Sequence, residues 1–334
     1  MSRGEFDIIQ RYFQRNNSPT NGVSVGIGDD CAIVDIPDGY QLAVTTDSLV
    51  SGVHFFDDVD AYRLGYKSLA VNLSDLAAMG ATAKWVSLAI TLPDIDEPWL
   101  ADFCRGFFAL ADKYQVQLIG GDTTKGPLSI TVSAKGIVKR DKALRRNGAQ
   151  VGDILCCSGP LGDGAVGLAC QLNELTLSHQ QPFIDALELT EPRLSLASLL
   201  VNHASSCIDI SDGLTQDLSH LLKQSACQAE IEVGALPFSA AMNHELQAGM
   251  ITREQAWQFA LTGGDDYELL FTVPAAKLAE LQTQVAQAGL TCFEIGSIKA
   301  ISDHTAISHF QENILLTHQN QPVNLTLAGW DHFK

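Results

Sequence analysis

The stretch AYRLGYKSLAVNLSDLAAMGATAKWVSLAITL, residues 61–92, carries both periodicities of a mixed fold. Leu69, Leu73, Leu76 and Ala77 recur at helical spacing and Gly80 is a stop signal, which predicts a helix over Ala61–Gly80. Trp85–Leu92 (WVSLAITL) then reads as a strand. Working outward, Gln41–Thr46, Val116–Ile119 and Leu128–Val138 read as further strands, and Glu97–Tyr114 as a second helix. The polar, basic stretch Lys139–Gly152 (KRDKALRRNGAQVG) lacks apolar periodicity and marks the expected domain boundary. Beyond it the alternation restarts. Strands are expected at Asp153–Cys157, Cys207–Ile210, Tyr267–Val273 and Cys292–Ile298, and helices at Gly164–Leu172, Pro192–His203 and Leu214–Gln224. The predicted fold class is α/β (mixed α+β), with an N-terminal domain over 1–140 and a C-terminal α/β domain over 149–334.

Composition narrows the function. At about 100–200 residues per domain, 334 residues make two domains, or three at most. With 46% apolar and 18% charged residues, the chain can bury a sizeable core. Twenty-one basic against 39 acidic residues leave a net charge of −18, a surface that repels nucleic-acid phosphates and anionic lipid. No apolar run reaches the length of a transmembrane helix. The opening MSRGEFDIIQRYF is amphipathic, without the apolar core or cleavage site of a signal peptide. The cysteines form no C-x-x-C, so reduced, buried thiols are expected and a disulfide framework or zinc site is not. Together these features predict a soluble cytoplasmic protein.

Most of the acidic residues belong to a solvated surface, but six small groups do not fit it. They are Gly28-Asp29-Asp30, Thr45-Thr46-Asp47, Asp75 within NLSDLAAMG, Gly120-Gly121-Asp122-Thr123-Thr124, Asp209-Ile210-Ser211-Asp212-Gly213 and Gly263-Gly264-Asp265-Asp266. Each falls at the end of a strand-like run or on a helix, beside glycine or a small hydroxyl residue. Ligand sites of α/β sheets lie at strand ends, and glycine lets a backbone approach a ligand closely. Singly, each group also reads as a turn or an N-cap, and Asp75 as a surface position on its helix. Jointly, converging carboxylates require cations to offset their repulsion. Oxygen-only donors select a hard ion such as magnesium. The joint pattern suggests a polynuclear magnesium site for a nucleotide or another phosphate compound.

The standard phosphate motifs are absent. There is no G-x-x-x-x-G-K-[ST], no kinase H-R-D or D-F-G set, and Gly26-Ile27-Gly28 continues into aspartates and not into a dinucleotide loop. Gly159–Gly164 (GPLGDG), ahead of a helix, is either an anion loop or a simple strand-to-helix turn. Arg145 and Arg146 either belong to a solvated linker or grip phosphates. His54 is either a surface residue or a substrate contact, and Trp330 either docks into the core or stacks on a flat ligand. Asp209-Ile210-Ser211-Asp212-Gly213 superficially resembles the D-x-D-G-T of aspartyl phosphatases, but its second aspartate is one residue too far and the threonine is missing.

GIGDDCAI (26–33), TTDSLVSGVHF (45–55), KSLAVNLSDLAAMGA (67–81), LIGGDTTKGPLS (118–129), IDISDGL (208–214), GGDDYEL (263–269) and GWDHF (329–333) resemble the bacterial thiamine-monophosphate kinase family. The wider superfamily includes aminoimidazole ribonucleotide synthetase, selenophosphate synthetase and a hydrogenase maturation protein. The resemblance implies ATP-dependent phosphorylation of thiamine monophosphate to thiamine diphosphate with several magnesium ions. It also implies a homodimer whose N-terminal domains pair their strands into a shared barrel. Carried over by position, the implied metal ligands are Asp30, Thr45, Thr46, Asp47, Asp75, Asp122, Asp209 and Asp212. The implied ATP contacts are Gly121, Asp122, Arg146 and Ser211, and the implied substrate contacts are His54, Asp265 and Trp330. Where the family usually has glutamate, this chain has Asp265, one methylene shorter. The acceptor is itself a phosphate oxygen, so neither a general base nor a protein nucleophile is expected. A sister enzyme acting on another substrate, or a non-catalytic cation-binding module, are the alternative readings.

Overall fold

A computed structural model describes residues 5–15, 21–301 and 313–325. The chain divides into two compact units, Met1–Leu76 with Ala81–Asp141, and Ala77–Gly80 with Lys142–Lys334.

The first unit contains α1 (Glu5–Ile8, continued by a π-turn over Ile9–Phe13), β1 (Val23–Val25), β2 (Ile33–Val34), β3 (Tyr40–Val50), α2 (Ala61–Ala78), β4 (Thr82–Leu92), α3 (Glu97–Lys113), β5 (Gln117–Lys125) and β6 (Ser129–Lys139). Its main sheet has the order β3-β6-β4-β5. The β3–β6 and β6–β4 pairs are antiparallel, and β4–β5 is parallel. A parallel neighbour needs a crossover, and α3 supplies it between β4 and β5. Strand alternation sends Ile130, Val132 and Ala134 of β6 to one face, where they are fully buried. The apolar stripe of α2 (Leu69, Leu73, Leu76) is buried on the same side, with the Leu76 side chain lying against Gly136. The two helices touch backbone to backbone: a Cβ on Gly106 of α3 would sit 1.8 Å from the Tyr62 carbonyl oxygen of α2. The opposite face of β3 carries Leu42, Val44 and Val50, all exposed.

The second unit contains β7 (Ile154–Cys157), α4 (Asp163–Gln171), α5 (Gln181–Glu188), α6 (Leu194–Leu200), β8 (Ser206–Asp209), α7 (Leu214–Ser225), β9 (Gln228–Glu232), α8 (Ala240–Gln247), α9 (Arg253–Thr262), β10 (Leu269–Val273), α10 (Ala275–Gln287), β11 (Phe293–Lys299), β12 (Ile314–His318) and β13 (Gln321–Pro322). Its sheet runs β13-β12-β9-β11-β7-β10-β8. Strands β7 and β10 and the edge strand β8 are buried almost throughout, which is why they read as short apolar runs. Six of the cysteines are buried free thiols; Cys31 is exposed and Cys292 partly so. Among the described residues, no helix is long and apolar enough to cross a membrane.

Candidate active site

In the first unit a hydroxyl and two carboxylates are gathered where β3 passes α2. Asn72, fully buried on α2, donates its amide to the Ser68 carbonyl at 3.2 Å and accepts the N–H of Asp47 at 3.1 Å. One turn further along α2, Asp75 accepts a short hydrogen bond from the Thr45 hydroxyl. Alternate residues of a strand share a face, so Thr45 and Asp47 both look toward α2 while Thr46 faces away. The Thr46 hydroxyl donates to the carbonyl of Thr45 at 2.8 Å. Asp75 is therefore neither an ordinary surface aspartate nor a core residue. It is partly exposed.

Beyond β3 the chain turns tightly through Ser51–Phe55. The His54 ring is clamped there, with Nδ1 accepting the Val50 N–H at 3.1 Å, which makes Nε2 the protonated nitrogen of the neutral ring. Asp30 sits in an exposed loop, its N–H donating to the Asp29 carboxylate at 2.9 Å. Asp122 lies on β5, at the opposite edge of the sheet from β3. Gly121 before it has φ +150°, and a Cβ there would be 1.7 Å from the Leu88 carbonyl oxygen, so no other residue fits against β4.

In the second unit three loops meet at one end of the sheet, after β7, after β8 and before β10. Asp209 closes β8 and is buried. The Ser211–Gly213 loop that follows is tied to the Gly263–Glu268 loop by the N–H of Asp265 to the Ser211 carbonyl (2.9 Å) and of Tyr267 to the Ile210 carbonyl (2.7 Å). Asp265 and Tyr267 both adopt positive φ, 65° and 49°. The Arg146 carbonyl accepts the Ser225 hydroxyl at 2.7 Å. The pKa of His220 is lowered by burial first and then by the Arg146 charge, with Asp212 opposing, which places all three in one electrostatic neighbourhood.

Sequence reading overlooks Asp217, and it gives no role to Asp266 of the Gly263–Asp266 group or to Glu268 of GGDDYEL. Asp217, buried in the first turn of α7, accepts the N–H groups of Ser211 and Asp212. Burial pushes its carboxyl well up, and the charges of Asp209 and Asp212 add to that. Asp266 accepts the Gly162 N–H with both carboxylate oxygens, at 2.9 and 3.0 Å, and burial raises its pKa strongly. The Gly162 N–H before α4 is thus already occupied by a carboxyl group of the chain itself. Glu268, 2% exposed, is gripped by Arg193 through Nε at 2.8 Å and more closely through Nη2, and it takes the Ser158 hydroxyl as well. The available signal was the clustering of three acids in GGDDYE, which cannot all face solvent beside a buried strand.

The sequence-predicted residues thus fall into two groups, Thr45, Asp47 and Asp75 in one unit and Asp209, Ser211, Asp212 and Asp265 in the other. Asp30 stands apart in its loop, and Gly121 and Asp122 stand at the far sheet edge. Trp330 lies outside the described residues.

Two family models match the chain: AIR synthase related protein, N-terminal domain, over residues 28–138, and AIR synthase related protein, C-terminal domain, over residues 150–308. A thiamine-monophosphate kinase of Haemophilus influenzae is 44% identical, covering all of this chain and 99% of its own length. The chain belongs to the thiamine-monophosphate kinase family. The crystal structure of such a kinase from Stenotrophomonas maltophilia superposes with a TM-score of 0.81 at 39% identity, covering 95% of this chain and 97% of that one. AaThiL complexed with AMPPCP and TMP superposes with a TM-score of 0.75 at 29% identity, covering 99% and 97%. These family members share the two-domain α/β architecture described above.

Proposed function

We propose that this chain transfers the γ-phosphoryl group of ATP to the phosphate of thiamine monophosphate, giving thiamine diphosphate and ADP. The observation that carries this reading is the full-length identity of 44% to a thiamine-monophosphate kinase. Both reactants are anionic where they meet, and their repulsion is the barrier that the site must offset. The attacking group is a phosphate oxygen whose second proton leaves at a pKa of about 6, so no protein base is needed.

The donor set fits magnesium: Thr45, Asp47 and Asp75 offer only oxygen atoms from one sheet–helix junction. In this reading the magnesium ligands are Asp30, Thr45, Thr46, Asp47, Asp75, Asp122, Asp209 and Asp212. Bound magnesium supplies the positive charge that neutralises the facing phosphates and holds them in line. Gly121, Asp122, Arg146 and Ser211 contact ATP, while His54, through Nε2–H, Asp265 and Trp330 contact thiamine monophosphate. Asn72 and Asp217 hold the backbone of Asp47 and of the Ser211–Asp212 loop in place.

The N-terminal domain, 1–140, binds ATP and magnesium and dimerises, and the C-terminal domain, 149–334, completes the site. Two facts support a homodimer. Among the described residues, the sheet of the first unit ends at β3 and β5 with no further strand paired to either, and Val44 on β3 is 58% exposed. Pairing β3 of one copy with β5 of another would satisfy both edges and cover that apolar face. An ATP-consuming enzyme with unpaired buried thiols belongs in the cytoplasm.

The test is end-point chromatography of purified protein with ATP, magnesium and thiamine monophosphate. Expected are thiamine diphosphate and matching ADP, neither of which forms without magnesium, and no product from free thiamine. ATP-dependent heat stabilisation without thiamine diphosphate would keep the nucleotide site and overturn the substrate.

A further inference from the structure

Away from these loops, three metal-ligating side chains converge. His179, in the connection between α4 and α5, meets His244 and Glu245 of α8, and one ligand atom from each lies within 4.8 Å of the other two. Both imidazoles are exposed, and their rings stand edge to face with centroids 5.7 Å apart. The Ser178 hydroxyl is 3.1 Å from His179 Nδ1, a contact that can orient a ligating ring through its other nitrogen. Both segments are anchored in one apolar cluster, by Leu177 and Phe183 on one side and Met242 on the other.

The second observation concerns Glu245. It is 1% exposed, and its Oε2 has no hydrogen-bond partner. A buried carboxylate oxygen without a donor is costly unless a cation meets it. Among the described residues, the two imidazoles are placed to hold a metal ion between themselves and that carboxylate.

We propose that His179, His244 and Glu245 bind one transition-metal ion of the zinc class, at a site separate from the phosphoryl-transfer carboxylates. Two imidazoles and one carboxylate suit zinc, cobalt or nickel, whereas magnesium takes oxygen donors. Tetrahedral ligands at about 2.0–2.1 Å from zinc lie about 3.4 Å from one another. A bound ion would clip α8 to the α4–α5 connection, and water would fill the fourth position.

The test uses untagged full-length protein titrated with Co2+ in excess Mg2+, which keeps the oxygen-only sites occupied. Expected are saturable visible d–d bands of tetrahedral cobalt at one ion per chain, bleached by Zn2+. His179→Ala and His244→Ala alter exposed side chains, so circular dichroism should show the fold retained. Each should abolish the bands and weaken Zn2+ binding by at least about tenfold, while the kinase end-point stays unchanged. Absence of saturable Co2+ or Zn2+ binding would overturn the proposal. So would bands of wild-type strength in both histidine variants, since the ion would then sit on other residues.

Discussion

Asp47 and Gly121 occupy the two ends of one transverse row of the four-stranded sheet, running Asp47–Val132–Leu88–Gly121. Three inter-strand steps of about 4.8 Å put them roughly 14 Å apart. Asp122, beside Gly121, is thus remote from Asp47 in its own chain, and closing the barrel with a second copy would bring it to the partner's β3 edge. Mixing the inactive variants Asp47→Ala and Asp122→Ala, with subunit exchange, should then restore about a quarter of wild-type turnover, one intact site in half of the dimers. A mixture as inactive as its components would place both residues in a single-chain site.

Asp75 receives the Thr45 hydroxyl and shares its helix face with Asn72, and in the proposed reading it serves magnesium and adds little to packing. Asp75→Ala should lower turnover on the order of a hundredfold or more while leaving circular dichroism and the thermal midpoint near the parent values. Near-normal activity would count against the metal-cluster reading.

The Arg193–Glu268 pair is a different kind of prediction, because it concerns stability. Arg193→Met removes the partner of a carboxylate that is 2% exposed and should cost about 3–5 kcal/mol in urea unfolding. Adding Glu268→Gln should recover part of that loss, since the Ser158 hydroxyl can still donate to the amide oxygen. If the double variant is less stable than Arg193→Met alone, the cost does not arise from the stranded charge.

Asp163 gives a pH dependence of known sign. Burial raises its pKa from 3.8 to about 6, the Ser239 hydroxyl bond opposes the rise, and the charge of Glu268 adds to it. Between those values the native state keeps a proton that the unfolded chain has released, so stability falls as pH rises through the window and stays reduced above it. Asp163→Asn is neutral at every pH. It should match the wild type near pH 3.8 and exceed it above pH 6 by up to roughly 3 kcal/mol. Parallel stability curves in a pH series of urea titrations would refute this.

Much of the molecule is legible from pattern. Ala61–Ala78 and Glu97–Lys113 are long amphipathic helices, and their spacing alone locates them to within a residue or two. Two strands outrun their apolar signal. β3 continues through Asp47 and Ser48 to Val50, and β5 through Gly120-Gly121-Asp122-Thr123-Thr124 to Lys125. Those segments look like turns because strand pairing with β6 and β4, not local propensity, holds them extended. Sequence reading assigns no element to Gln181–Glu188, Gln228–Glu232, Ala240–Gln247, Arg253–Thr262 or Ala275–Gln287, where short helices and a single strand are stabilised by what they pack on. In the candidate site, sequence singles out the strand-end carboxylates, but not which acids the fold commits to holding backbone. That Asp217 and Asp266 serve backbone N–H groups, and so are not free for a ligand, depends on which loops the fold folds back on each other.

The strand order of the second unit also bears on how the chain is made. β7, its first strand, sits between β10 and β11, whose residues are among the last of the unit to be synthesised. On the ribosome, the apolar Ile154–Cys157 segment must wait for Leu269–Val273 and Phe293–Lys299 before either edge is paired. Vectorial synthesis leaves β7, β8 and β9 without a strand partner at least until Leu269–Val273 is made. The sheet therefore closes late, β8-β10-β7 first and the rest through β11, and truncation before Phe293 leaves β7 half covered.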